Sequence, residues 1–203
     1  MQARADLWRT RDDTPTEDHY VHLHGASWDD YERILAIRGD HSAPRITFIG
    51  GTIEIMSPSR DHEGIKSMIG RLVETYCLDR GIEIMPFGSW TLKVRKDERG
   101  VEPDECYVFG TAPREHPQLA IEVEWTAGGL DKLDVYRRLH VEEVWYWRRG
   151  AISVHRLRGD RYARAARSTV VPDLPLDLLA RCLDRPTLTQ AVRAFRAGLT
   201  RPK

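Results

Sequence analysis

Residues 102–126 read EPDECYVFGTAPREHPQLAIEVEWT, and they set three acids where a sheet could bring them together. Leu119, Ile121, Val123 and Trp125 alternate with Ala120, Glu122 and Glu124, the period of a strand whose side chains point to opposite faces. One face is apolar, and the other carries Glu122 and Glu124 about 7 Å apart along the chain. Asp104 lies upstream in a second strand-like run. Neighbouring strands are about 4.8 Å apart, so Asp104 and Glu122 meet if the two runs pair. Ionised carboxylates only accept hydrogen bonds, and burying them unpaired is expensive. Either cations pair them or they hold a metal, and an E-x-E strand can also be a plain solvent face. Carboxylate oxygens completed by water suit Mg2+ or Mn2+ rather than zinc. Such an ion activates water and stabilises charge on a phosphoryl oxygen. Lys132, in the run LDKLDVYRRLH that follows, could bring a second positive charge to the same place.

The elements that must position these groups are legible from periodicity. Ser27-Trp28-Asp29-Asp30 has the shape of a capping box and should start a short helix through about residue 37. RITFIGGTIEIMSP reads as a hairpin turning at Gly50-Gly51, because two glycines supply the positive φ angles of a tight turn. Ile65, Met68, Ile69, Leu72, Val73, Tyr76 and Cys77 fall on one helical stripe. Asp61 is the expected N-cap and Gly81 the expected stop. SWTLKV reads as a strand, with Lys93 on its polar face. After the acid-bearing strands, Gly128-Gly129 break the chain before a helix carrying Leu130, Leu133, Tyr136 and Leu139. EEVWYWRRGAISVHRL follows as two strands. Two helical segments close the chain, the second capped by Thr187-x-x-Gln190. The order predicts an α/β fold with a central mixed β-sheet flanked by helices. We expect a loosely ordered lead-in over 1–26, a main domain over 27–170, and a C-terminal helical tail over 171–203 packed on that domain.

Composition bounds the class. The chain has 203 residues, 41% hydrophobic and 31% charged, as in an ordinary globular domain. No apolar run reaches the roughly 18 residues of a membrane span, and the N-terminus has no apolar leader segment. Three widely spaced cysteines, Cys77, Cys106 and Cys182, argue against a disulfide framework and fit a reducing cytoplasm. With 31 basic and 31 acidic residues, no global field advertises nucleic acid. The distribution is uneven, however. Residues 148–168 hold seven arginines against Asp160 alone. Arg156, Arg158 and Arg161 could bind a polyanion, or could be charged strand edges that block edge pairing.

The stretches IEIMSPSRDHEGIK, GSWTLKV, RGVEPDECY, LAIEVEWT and LDKLDVYRRLHVEEVW, in that order, resemble the Uma2 family of the PD-(D/E)XK nuclease superfamily. They span about two-thirds of the chain. The resemblance implies a restriction-endonuclease-like fold over 27–170 and phosphodiester hydrolysis dependent on Mg2+ (or Mn2+). It implies DNA as the partner, and Asp104 and Glu122 as the metal-binding acids. Pro103-Asp104 matches the family's PD half-motif. The superfamily's usual lysine would stand at 124, where this sequence has Glu124. The lysine role therefore falls to Lys132 on the next helix, with Lys93 a weaker substitute, and Glu124 becomes a further ligand or a positioner of water. His62-Glu63 matches the HE at the head of the first long helix, which implies a place in the site for Glu63. A homodimer is expected, because cutting two strands needs two sites. The competing expectation is a non-catalytic nucleic-acid-binding or scaffold protein that keeps the fold.

Overall fold

The computed structural model of the chain describes residues 17–200. The elements run β1 (His19–His24), α1 (Trp28–Arg38), β2 (Arg45–Ile49), β3 (Thr52–Ser57), α2 (Arg60–Arg80), β4 (Ile84–Pro86), β5 (Leu92–Val94), β6 (Arg99–Val101), β7 (Glu105–Phe109) and β8 (Leu119–Glu124). They continue with α3 (Leu133–Arg138), β9 (Glu143–Arg148), β10 (Ala151–Arg158), β11 (Arg161–Ala165), α4 (Leu176–Cys182) and α5 (Leu188–Leu199).

The strands form two sheets where the sequence reading expects one. A six-stranded sheet has the order β11-β10-β9-β8-β7-β4. It is mixed, because β8 and β9 run parallel while the other pairs are antiparallel. The parallel pair is joined through α3, the crossover that a parallel connection requires. The second sheet is antiparallel, with the order β1-β3-β2-β6-β5. Residues 1–16 of the expected lead-in lie outside the described residues. His19–His24 are not loosely ordered but form an edge strand on β3. Their alternation is polar on one face and only half apolar on the other, so periodicity gives a weak strand signal.

Local signals account for the elements that position the site. Ser27 caps α1 in a full capping box with Asp30. Gly50 and Gly51 take φ of 58° and 80° at the β2–β3 turn. α2 is capped by Ser59, not Asp61, because the Ser59 hydroxyl accepts from the His62 N–H. Gly81 ends α2 in the left-handed conformation. The apolar stripe of α2 packs on Leu119, Ile121, Val123, Trp145 and Trp147 of the mixed sheet, and Cys182, Ala191 and Phe195 of the tail join that core. The opposite face of the mixed sheet carries Ala120 and Val144 against Val135 and Tyr136 of α3, Leu139 at its C-cap, and Leu92 and Val101 of the second sheet. Glu122 and Glu124 share parity with Ala120. They therefore point into the angle between α3 and the second sheet.

Candidate active site

Six acids among the described residues are almost completely shielded from water: Asp18, Glu54, Glu102, Asp104, Glu122 and Glu143. They divide by what surrounds them. Asp18 accepts the Ser59 N–H at 2.8 Å and faces His62. Glu143 accepts from Trp145, Ser168 and Thr169. Glu102 accepts from Arg38 at 2.5 Å, from the Ile46 N–H at 2.9 Å and from Thr91. Both tie elements together as satisfied structural acids, which is how buried carboxylates are tolerated. Glu54, Asp104 and Glu122 instead line one pocket of about 120 Å³, with Tyr20, Glu124, the 126–130 loop, Lys132, Tyr146 and Arg148.

Strand pairing creates the gathering. β7 and β8 pair with Glu105 opposite Ile121, so Asp104, one residue before β7, stands beside Glu122 and Val123. Asp104 Oδ2 accepts the Val123 N–H at 2.6 Å. Glu54 arrives from β3 of the other sheet. The Gly128-Gly129 loop folds over it, and the Leu130 N–H donates to Glu54 Oε2 at 2.7 Å. A β-carbon on Gly129 would stand 3.3 Å from the Tyr20 ring and 3.6 Å from Glu54 Oε2, so the loop passes close to both. Lys132, at the N-cap of α3, donates to Glu122 Oε2 at 2.8 Å. The Tyr136 hydroxyl, one turn on, donates to Glu122 Oε1.

Charge fixes the protonation states. Burial opposes the Lys132 ammonium, but Glu122, Asp104 and Glu54 outweigh it and hold the group protonated well above its usual range. Burial pushes the Glu122 carboxyl up, and Lys132 counters only part of that. Burial would raise Asp104 as well, yet the Arg45 guanidinium, His62 and Lys132 bring it below the usual carboxylate range. Arg45 Nη1 and His62 Nε2 each lie 3.0 Å from Asp104 Oδ1, close enough for ion pairs but without hydrogen-bond alignment. His62 Nδ1 lies 3.1 Å from Asp18 Oδ2. Burial opposes a charge on this imidazole, but Asp104 and Asp18 outweigh it and raise its pKa to about 9.

The expected site residues separate under this geometry. Asp104, Glu122 and Lys132 come together. Glu124 lies at the pocket mouth, ion-paired to Arg148. Glu63 is held outside the pocket lining. It pairs with Arg45 at 2.7 Å and Lys66 at 2.9 Å, so it touches Asp104 only through Arg45. Lys93 is on the second sheet, paired to Glu32 at 3.0 Å. Arg156, Arg158 and Arg161 are not brought to the pocket. Strand partners share a face. Trp145 partners Val154 and Glu143 partners Arg156, while Arg158 partners Arg161. Trp145 and Val154 belong to the core under α2, so the three arginines project on the face opposite Glu122. Arg148 and Arg164 have the site's parity, since Tyr146 partners Glu122 and Arg164 partners His155, which partners Val144.

Sequence reading missed Glu54, Arg45 and Asp18. Glu54 sits between Ile53 and Ile55, where alternation marks it as a polar face. Only the second sheet, stacked against the first, turns that face inward. Its place in IEIMSP, one of the stretches that carry the family resemblance, was the available signal.

The set fits a hard divalent ion in kind. Its donors are carboxylate oxygens, the ligands Mg2+ and Mn2+ take. Glu54 Oε1 and the Tyr146 hydroxyl are buried without a hydrogen-bond partner, while Asp104 Oδ1 is taken up by Arg45 and His62 at 3.0 Å. A shut-in polar atom lacking a partner is uncommon and marks a place for a ligand. Among the described residues no three His, Cys, Asp or Glu side chains are grouped to hold a metal. Both oxygens of Glu122 are engaged, by Lys132 and Tyr136.

The Uma2 family, described as "Putative restriction endonuclease", matches residues 28–184. No curated protein matches the sequence. Among solved structures, a protein from Anabaena variabilis ATCC 29413 described as "a putative nuclease belonging to DUF820" is similar over 83% of this chain and 98% of its own, at 15% identity and a TM-score of 0.49.

Proposed function

The chain belongs to the Uma2 family, and we propose that it is a metal-dependent endonuclease that hydrolyses phosphodiester bonds in DNA. One observation carries the reading. Glu122 of β8, Glu54 of β3 and Asp104, just before β7, reach a single pocket between two sheets, and one oxygen of Glu54 is buried there without a partner. An unsatisfied buried polar group costs about 1–3 kcal/mol, so this oxygen is open to a ligand that would satisfy it.

In this reading Asp104, Glu122 and Glu54 would hold Mg2+ (or Mn2+), which would supply an activated water and a Lewis acid for the phosphoryl oxygen. The chain's own groups do the rest. The Lys132 ammonium supplies a positive charge to face the charge that develops on the phosphate. Tyr136 orients Glu122 through its hydroxyl. Arg45 and His62 hold the Asp104 carboxylate ionised and in place. Glu124, at the mouth with Arg148, is placed to orient a water. Arg148, which lines the pocket, and Arg164, on the same sheet face at the edge strand, supply phosphate contacts. A homodimer presents two such pockets to two strands. The test is incubation with supercoiled DNA, single-stranded DNA and RNA in Mg2+, Mn2+ or EDTA. The reading expects nicking or linearisation of DNA in either metal and none in EDTA. A protein that binds DNA but cuts nothing in any metal would support the non-catalytic alternative.

A further inference from the structure

We propose that the Lys132 ammonium and a divalent ion are alternative occupants of the Glu54–Asp104–Glu122 cluster, so that metal entry releases Lys132 from Glu122 and frees it to face the substrate phosphate. The inference deepens the nuclease reading and rests on it. The cluster is already filled by a cation, because Lys132 Nζ is 2.8 Å from Glu122 Oε2 and shielded from water. The other oxygen, Glu122 Oε1, is taken by the Tyr136 hydroxyl, so a divalent ion reaches Glu122 Oε2 only at the place where the Lys132 ammonium now stands. Two cations side by side in a low-dielectric pocket repel strongly, so one occupant excludes the other.

The elements allow the exchange. Arg45 and His62 are anchored in β2 and α2, and each is also held by a second acid, Glu63 or Asp18. Lys132 stands at the end of a six-residue helix just after the Gly128-Gly129 loop, and its stem is four flexible carbons. It is the cation of the cluster that can leave without moving a strand. Its departure also opens Glu122 Oε2, the oxygen that the metal-holding set lacks.

The experiment measures Mn2+ affinity by calorimetry for the full chain, Lys132→Met and Lys132→Arg, and follows the lysine ammonium signals of the unaltered protein by NMR during Mg2+ titration. We expect Lys132→Met to bind Mn2+ at least about tenfold more tightly and Lys132→Arg to bind no more tightly than the unaltered protein. We expect the protected Lys132 signal to shift or exchange away as Mg2+ binds. An equal or weaker affinity in Lys132→Met overturns the exchange, and so does an unmoved Lys132 signal with Mg2+ bound. Should Lys132→Met fail to fold, the NMR titration decides alone. Absence of metal binding in every form sinks the nuclease reading itself. Metal binding and cleavage with unchanged affinity in Lys132→Met sinks only the exchange.

Discussion

Lys132 and Lys93 differ in environment, and that difference sets the sharpest residue-scale expectation. Lys132 is buried against Glu122, while Lys93 is half-exposed on another sheet with Glu32. Lys132→Ala should lower cleavage at saturating Mg2+ by at least about a hundredfold, the loss that follows removal of one charge-stabilising group. Lys93→Ala should cleave like the unaltered protein, with circular dichroism confirming both folds. The reverse pattern would move the lysine role to the second sheet. His62 gives a pH prediction. Its folded pKa is about 9, above the ordinary 6.5, so its charged form contributes to stability in full below pH 6.5. That contribution, at most about 3 kcal/mol, is lost as pH rises through about 9. Denaturant midpoints measured in EDTA should fall from pH 6.5 to 9, and His62→Gln should flatten the fall. An equally steep fall in the variant would place its origin elsewhere. Asp104, Glu122 and Lys132 were legible in the sequence because strand alternation and a following helix pattern locate them. Glu54 and Arg45 were not. A polar face turned to water and a polar face covered by another sheet have the same alternation.

At the scale of elements, the β9–β10–β11 ribbon tests which face meets nucleic acid. Register puts Arg156, Arg158 and Arg161 on the face away from Glu122, and Arg148 and Arg164 on the same face as it. We predict that Arg148→Gln with Arg164→Gln weakens DNA binding and lowers the salt slope by about one to two counterions. Neutralising Arg156, Arg158 and Arg161 together should change that slope less. A larger change from the second set would put DNA on the opposite face. The tail helices are a second test. Phe195 of α5 is fully buried with Ile69, Leu72 and Tyr76 of α2, so Phe195→Ala should cost about 3–5 kcal/mol in unfolding free energy. A loss within error would mean the tail does not share that core. The helices and the β2–β3 hairpin followed from caps, stripes and glycines. β1 and β11 were missed because His19–His24 and Arg161–Ala165 carry few apolar residues, so their strand character comes from partners rather than from their own pattern.

For the whole molecule, the two sheets matter more than either alone. The mixed sheet brings Asp104, Glu122 and, through its crossover, Lys132. The antiparallel sheet brings Glu54 and Arg45, and the loop through Gly128-Gly129 joins them. Division into two sheets was hidden from the sequence, because pairing partners distant in the chain leave no periodic trace. No helix among the described residues is long and apolar enough to cross a membrane. The central claim is that one buried cluster of acids, served by Lys132, hydrolyses phosphodiester bonds with a divalent ion. Its most direct measurement is the single-turnover cleavage rate of supercoiled DNA at saturating Mg2+ for the unaltered protein, Glu122→Gln and Glu54→Gln, each checked for fold by circular dichroism. The account predicts cleavage by the unaltered protein that EDTA abolishes, and a fall of at least about a hundredfold in both variants. Cleavage that persists at the unaltered rate in folded Glu122→Gln, or that survives EDTA, would contradict it.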